Sequence, residues 1–120
     1  MKIEGQGKLL RIFIGELDKH NKQSLFEVII HKVKELGLAG CTIIRGIEGF
    51  GANSRVIHTA KLLRLSEDLP IIIEIVDNNE RIENAMTELD KIIDEANCGV
   101  LMTLETVQIV RYRPKESNEQ

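Results

Sequence analysis

Apolar and polar positions alternate from Lys8 to Gly15, with Leu10, Ile12 and Ile14 on one side and Leu9, Arg11 and Phe13 on the other. A two-residue period predicts a β-strand. Apolar residues on both sides predict a central strand, or one whose outer face meets a partner. The period then changes. Leu25, Ile29, Val33 and Leu36, with Val28 beside them, recur at helical spacing. Ser24-Leu-Phe-Glu27 fits a capping box that opens this helix, and Gly37 is its expected stop. A second strand is predicted from Cys41 to about Phe50. A long connection follows from Ala52 to Asp68, with a middle apolar enough for a helical turn or two. Pro70 precedes Ile71-Ile-Ile-Glu-Ile-Val76, a β-branched run suited to a buried strand. Asp77 or Asn78 can cap a second helix, whose apolar stripe is Ile82, Ala85, Met86, Leu89, Ile92, Ile93 and Ala96. Val100–Thr103 and Val107–Tyr112 are strand-like, with a kink or bulge expected at Leu104-Glu105-Thr106.

The order β-α-β-β-α-β, with a short extra strand near the end, predicts an α+β fold: a ferredoxin-like sandwich with two helices on one face of an antiparallel sheet. No helix remains for the other face, where Leu9 and Phe13 would lie. An apolar sheet face left open predicts self-association. The 120 residues form one domain, expected over 1–113, with 114–120 as a polar, disordered tail.

Composition narrows the function. A hydrophobic fraction of 42% supports a real core. A net charge of −3 and 3% aromatic residues argue against nucleic acid as a partner, since that binding draws on basic patches and stacking rings. An RNA-binding module on this topology would have Phe13 as almost its only stacking residue. The N-terminal Met-Lys-Ile-Glu-Gly-Gln-Gly has no apolar signal region, so the expected location is cytoplasmic. Cys41 and Cys98 share no Cys-x-x-Cys motif and read as reduced, partly buried thiols. His20, His31 and His58 lack ligand spacing, so no metal site is expected. Glu67-Asp68 and Asp94-Glu95 fit solubility and capping better than acid–base catalysis. Ser24, Ser54 and Ser66 have no base-and-orienter pattern nearby.

The candidate chemistry lies where the second strand breaks up, in Arg45-Gly46-Ile47-Glu48-Gly49-Phe50-Gly51-Ala52-Asn53-Ser54-Arg55. Closely spaced glycines let a backbone approach a ligand or another chain. The spacing is neither a P-loop nor a dinucleotide fingerprint. Arg45 and Arg55 bracket the stretch and are candidate anion contacts. Near the other terminus, Arg111 and Arg113 share one side of an extended segment and suit phosphate, which guanidinium binds in bidentate fashion.

The strings Arg45-Gly-Ile-Glu-Gly-Phe-Gly51 and Leu62-Leu-Arg-Leu-Ser-Glu-Asp-Leu-Pro70 resemble a family of small bacterial and archaeal PII-like signalling proteins, over nearly the whole chain from Leu9 to Tyr112. The broader kinship is with nitrogen-regulatory PII proteins. The resemblance implies a homotrimer that binds an adenine nucleotide in clefts between subunits and signals through a mobile loop, here 52–68. It implies a regulatory protein, not an enzyme. Gly49, Phe50 and Gly51 match the glycine-rich strand end that meets nucleotide. Gly99 falls where PII proteins place a second phosphate-cradling loop, and Arg111-Tyr112-Arg113 resembles their phosphate-reaching Arg-x-Arg. Where the family carries a basic residue on the phosphates, this chain has Val100, which favours AMP or ADP over a triphosphate. The only tyrosine is Tyr112, so the loop is not switched by tyrosine nucleotidylation. Arg55, Lys61 and Arg64 set this loop apart from typical PII loops and imply a different target. A membrane transporter or channel is the target by analogy. The alternative is a small ferredoxin-like phosphate-ester or acyl-phosphate hydrolase. That would need an arginine-bearing loop after the first strand, where Glu16-Leu-Asp-Lys-His20 stands.

Overall fold

The computed structural model of the chain describes residues 3–52 and 68–116. Its elements are β1 (Gly5–Gly15), β2 (Lys19–His20), β3 (Gln23–Ser24), α1 (Leu25–Glu35), β4 (Thr42–Arg45), β5 (Pro70–Asp77), α2 (Asn79–Ala96) and β6 (Leu101–Ile109). Strands β4, β5, β1 and β6 form one sheet in that order, and every neighbouring pair is antiparallel. β1 is central, as its two apolar sides predict. The architecture is the α+β, ferredoxin-like fold expected from the element order.

Side chains of β1 and β5 that point to one face are sealed by the helices. Leu10, Ile12 and Ile14 meet Ile71, Ile73 and Ile75, and over them pack Leu25, Ile29 and Val33 of α1 with Ile82, Leu89 and Ile93 of α2. Leu10, Ile12, Ile73 and Ile75 keep at most 1% of their surface exposed, so apolar burial on this face is nearly complete. The helix stops are local. Gly37, with φ +81°, takes the left-handed position after α1. Its N–H donates to Lys34 O and that of Leu38 to Val33 O, which satisfies carbonyls the helix leaves free. Asn78 caps α2, its side chain accepting from the Arg81 N–H at 2.8 Å. Asp77 is fully buried yet paired: its carboxylate accepts from Ala39 N at 2.8 Å and from Asn78 N at 2.7 Å. It ties the α1–β4 connection to the start of α2.

Among the described residues no helix covers the opposite face. The register places Leu9, Arg11 and Phe13 beside Val76, Glu74 and Ile72 on one flank and beside Glu105, Thr103 and Leu101 on the other. Its apolar residues are partly exposed, Leu101 by 54%, Ile44 by 41% and Val76 by 37%. At its centre Arg11 donates to Glu74 at 2.9 Å and also bonds Glu105 across the third strand. Those two bonds hold the Arg11 pKa above its ordinary value.

Four local expectations change. The second strand ends at Arg45 and not near Phe50. Gly46 N donates to Pro70 O at 2.7 Å, but Pro70 has no N–H to return, so the ladder stops there. β6 runs without a break through Leu104-Glu105-Thr106, each residue paired with β1, and no kink forms. β2 and β3 make a small hairpin in place of the polar connection that residues 18–22 suggest; Asn21 and Lys22 turn it at φ 49° and 72°. Ser24 belongs to this hairpin and makes no side-chain cap bond to α1. Among the described residues no further strand follows β6, and residues 117–120 of the expected tail lie outside them.

Candidate functional site

The sheet has two ends, and the candidate residues divide between them. At one end β1 finishes at Gly15, β5 starts at Pro70, β6 starts at Leu101 and β4 gives way to glycines. A pocket of about 150 Å³ opens there. Gly49, Phe50 and Gly51 form one wall and Gly99 contributes to the lining, so four of the residues expected at a ligand converge although the sequence separates them by some fifty positions. Gly49 has φ +150°, a conformation that side chains with a Cβ resist. Pro70 sits under this turn. A Cβ on Gly46 would come within 2.8 Å of Pro70 Cγ, so the chain here needs glycine to pass the ring.

Three further lining residues bear on its chemistry, and the sequence does not single them out as ligand contacts. Phe13 and Leu101 face the pocket from the uncovered side of the sheet, and Asp68 enters from the residue pair before Pro70. From sequence, Phe13 reads only as an open-face or RNA-stacking residue, and Asp68 only as a solubilising charge. The signal for Asp68 is its place two residues before Pro70, at the start of β5. Its carboxylate accepts from the Leu17 N–H at 3.0 Å. The neighbouring turn is fixed by a second carboxylate: Asp18 accepts from the Gly15 N–H at 2.8 Å. Cys98 stands beside Asp18, and burial first, then that carboxylate, pushes its thiol pKa up. A thiol held protonated next to a carboxylate is a poor nucleophile.

Arg45 lies near this end, but its guanidinium is engaged. Nε donates to Glu16 at 3.1 Å. The pair holds the β1 exit loop to the end of β4 and still leaves Arg45 half exposed. Arg55 lies outside the described residues, as do His58 and most of the 52–68 connection.

Arg111 and Arg113 do not join the pocket within one chain. They follow β6 at its far end, where Arg111 lines a second cavity with Thr42, Val76, Ile109 and Tyr112. Ile109 pairs with Gly5 and Leu101 with Phe13, so the two ends are separated by the length of β6, roughly 25–30 Å. Both arginines are exposed. Cys41 lines the same second cavity, and burial pushes its thiol up to about 11. His20 bonds Glu95 at 2.8 Å, pinning the β2–β3 hairpin to the end of α2. Among the described residues no group of three or more His, Cys, Asp or Glu is placed to hold a metal ion, and no helix is long and apolar enough to cross a membrane.

The chemistry of the pocket at the glycine end is therefore that of an apolar, backbone-rich slot with one carboxylate among the described residues. It can stack and enclose a flat group, but among the described residues its lining carries no cation.

The chain is similar to known proteins in sequence and in fold. The DUF190 family, described as Uncharacterized ACR, matches residues 7–109. A UPF0166 protein of Aquifex aeolicus is 33% identical over 103 residues, which is 86% of this chain and 92% of the relative. A candidate PII-like signalling protein from Thermus thermophilus superposes with a TM-score of 0.62 at 24% identity, over 92% of this chain and 94% of that one. CPII, a nitrogen regulatory PII-like protein from Thiomonas intermedia solved with ADP, AMP and bicarbonate, gives 0.62 at 16% identity over 90% and 97%. A phage SAM lyase in complex with S-methyl-5′-thioadenosine gives 0.56 at 16% identity over 93% and 90%. At these identities the structures establish a shared PII-like fold, and that fold carries both a regulator and an enzyme.

Proposed function

We propose, from the premise that this chain belongs to the DUF190 family and has a PII-like fold, that it is a regulatory protein binding an adenine nucleotide, AMP or ADP, in clefts between the subunits of a homotrimer. One observation carries the reading. The backbone elements expected at a nucleotide converge on one pocket, while the arginines expected at its phosphates leave the sheet at the opposite end. A single chain thus holds two halves of a site that cannot meet. A neighbouring copy brings Arg111 and Arg113 to the pocket of the first. The uncovered sheet face supports such assembly, since its apolar residues are exposed and it abuts the pocket through Phe13 and Leu101.

In this reading Gly49, Phe50, Gly51 and Gly99 allow close backbone approach, and Arg111 and Arg113 hold phosphate in bidentate fashion. Arg45 and Arg55 are secondary contacts. Arg45 would exchange Glu16 for the ligand. The ligand would order the 52–68 connection and change the surface offered to a target, which requires different affinities for the two loop states. A transporter or channel at the cytoplasmic membrane face is the target by fold analogy. The protein would act by binding and not by turnover.

Thermal unfolding with AMP, ADP, ATP and cyclic AMP tests this. A ligand at about a hundred times its dissociation constant adds roughly 2.7 kcal/mol if it binds only the folded state. AMP or ADP is expected to raise the midpoint most. No shift with any of the four overturns the nucleotide reading, and sustained turnover of a nucleotide or acyl phosphate overturns the regulatory one.

A further inference from the structure

Among the described residues Asp68 is the only charged one that lines the pocket at the glycine end of the sheet. The rest of the described lining is apolar side chains and glycine backbone, and the Asp18 carboxylate, bonded to the Gly15 N–H, stands close by. It is half-buried, and one of its oxygens is committed to the Leu17 N–H at 3.0 Å, which fixes its orientation. Among the described residues no cation neutralises it. A fixed, partly desolvated carboxylate demands a donor, and it repels an anion.

We propose that Asp68 determines specificity in this pocket by accepting a hydrogen bond from a ribose hydroxyl, so that the pocket takes the nucleoside end of the ligand and selects ribonucleotides over deoxyribonucleotides. The inference rests on the nucleotide reading above and adds which part of the ligand this pocket reads. Phe13, Phe50 and Leu101 offer apolar surface to a flat base. That leaves Asp68 for the polar, non-aromatic sugar, whose vicinal hydroxyls are neutral donors. The phosphates are directed away from Asp68, toward cations from outside this lining. The choice follows from charge: a carboxylate bound to a hydroxyl gains a charge-assisted bond, and the same carboxylate beside a phosphate is destabilising.

The experiment is calorimetric titration of the full chain with ADP, 2′-deoxyADP, 3′-deoxyADP and inosine diphosphate, repeated on Asp68→Asn and Asp68→Ala. Asp68→Asn keeps an acceptor for the Leu17 N–H, and circular dichroism confirms that both variants fold. The wild type is expected to bind at least one deoxy analogue about tenfold or more weakly than ADP, the size of one lost charge-assisted hydrogen bond. In both variants that preference is expected to shrink to within about twofold. ADP binding with no ribose preference, or a preference that survives both substitutions, overturns the inference alone. So does a change confined to inosine diphosphate, which would assign Asp68 to the base. Failure of the wild type to bind ADP at all overturns the nucleotide reading together with this one.

Discussion

Ile72 and Ile73 are adjacent in β5, are the same residue type, and meet opposite fates. Ile73 turns to the helices and is fully buried; Ile72 turns to the uncovered face beside Phe13 and Ile44 and stays partly exposed. The same contrast runs across the whole sheet. The covered face is solved within one chain by α1 and α2. The uncovered face combines apolar residues with a three-strand ionic centre of Arg11, Glu74 and Glu105, which carries two carboxylates for one guanidinium. Packing within the chain is thus settled on one side, and the other side keeps apolar surface exposed.

The comparison can be broken by substitutions that act on one face only. Leu101→Glu places a charge beside Phe13 on the uncovered face. The account expects a folded chain by circular dichroism that loses on the order of 3–5 kcal/mol of association free energy and sediments as a smaller particle. Ile73→Ala should do the reverse and cost about 2–5 kcal/mol of folding stability in denaturant titration. Ile72→Ala should cost about 1 kcal/mol in a dissociated chain. Equal losses at the two isoleucines would contradict the difference between the faces. Asp77→Ala sharpens the covered side, since it leaves the Ala39 and Asn78 N–H groups without their acceptor. About 1 kcal/mol is expected for each of these part-buried donors left without its acceptor, read by chemical denaturation.

Smaller effects separate the two ends of the sheet. Arg111→Ala and Arg113→Ala should leave the unfolding midpoint of the free protein unchanged, because both side chains are exposed, and should each remove about 1.5–3 kcal/mol of ADP affinity by calorimetry. Cys41 gives the smallest effect. Burial raises its thiol from 9.0 to about 11 in the folded chain. A raised thiol pKa means that the unfolded chain ionises first. The stability from this group is therefore complete below pH 9 and is lost as pH rises toward 11. Cys41→Ala should flatten that part of the stability profile in pH-dependent unfolding.

Most of the fold could be read from the sequence because the periods are clean. Ile29 and Val33 recur at helical spacing, and Leu10, Ile12 and Ile14 alternate. What could not be read depended on a partner strand. β4 stops at Arg45 because the next residue, Gly46, faces Pro70, a fact about pairing that apolar Ile47 and Phe50 hide. β6 passes straight through Leu104-Glu105-Thr106 because an edge strand facing solvent tolerates polar residues that a central strand would not. The hairpin at Asn21-Lys22 lacks the Asn-Gly that usually betrays such a turn. At the site, the glycines and Gly99 could be found from their resemblance to PII proteins. Asp68 could not, because a carboxylate in a polar segment carries no mark of the pocket it will enter. Nor did the sequence reveal that Arg111 and Arg113 end a sheet's length from the glycines, since that separation follows from β6 running antiparallel to β1.

That separation is the centre of the account, and a complementation experiment tests it most directly. One variant, Arg111→Ala/Arg113→Ala, keeps its pocket but lacks the distant cations. A second, Gly49→Val, keeps the arginines but puts a branched side chain where φ is +150°. Each alone should bind ADP weakly or not at all. Unfolded together and refolded as mixed oligomers, they should recover wild-type affinity at a fraction of sites, since some clefts then join an intact pocket to intact arginines. No recovery in mixed oligomers of confirmed composition, or full ADP affinity in the double arginine variant alone, would contradict a site shared between copies.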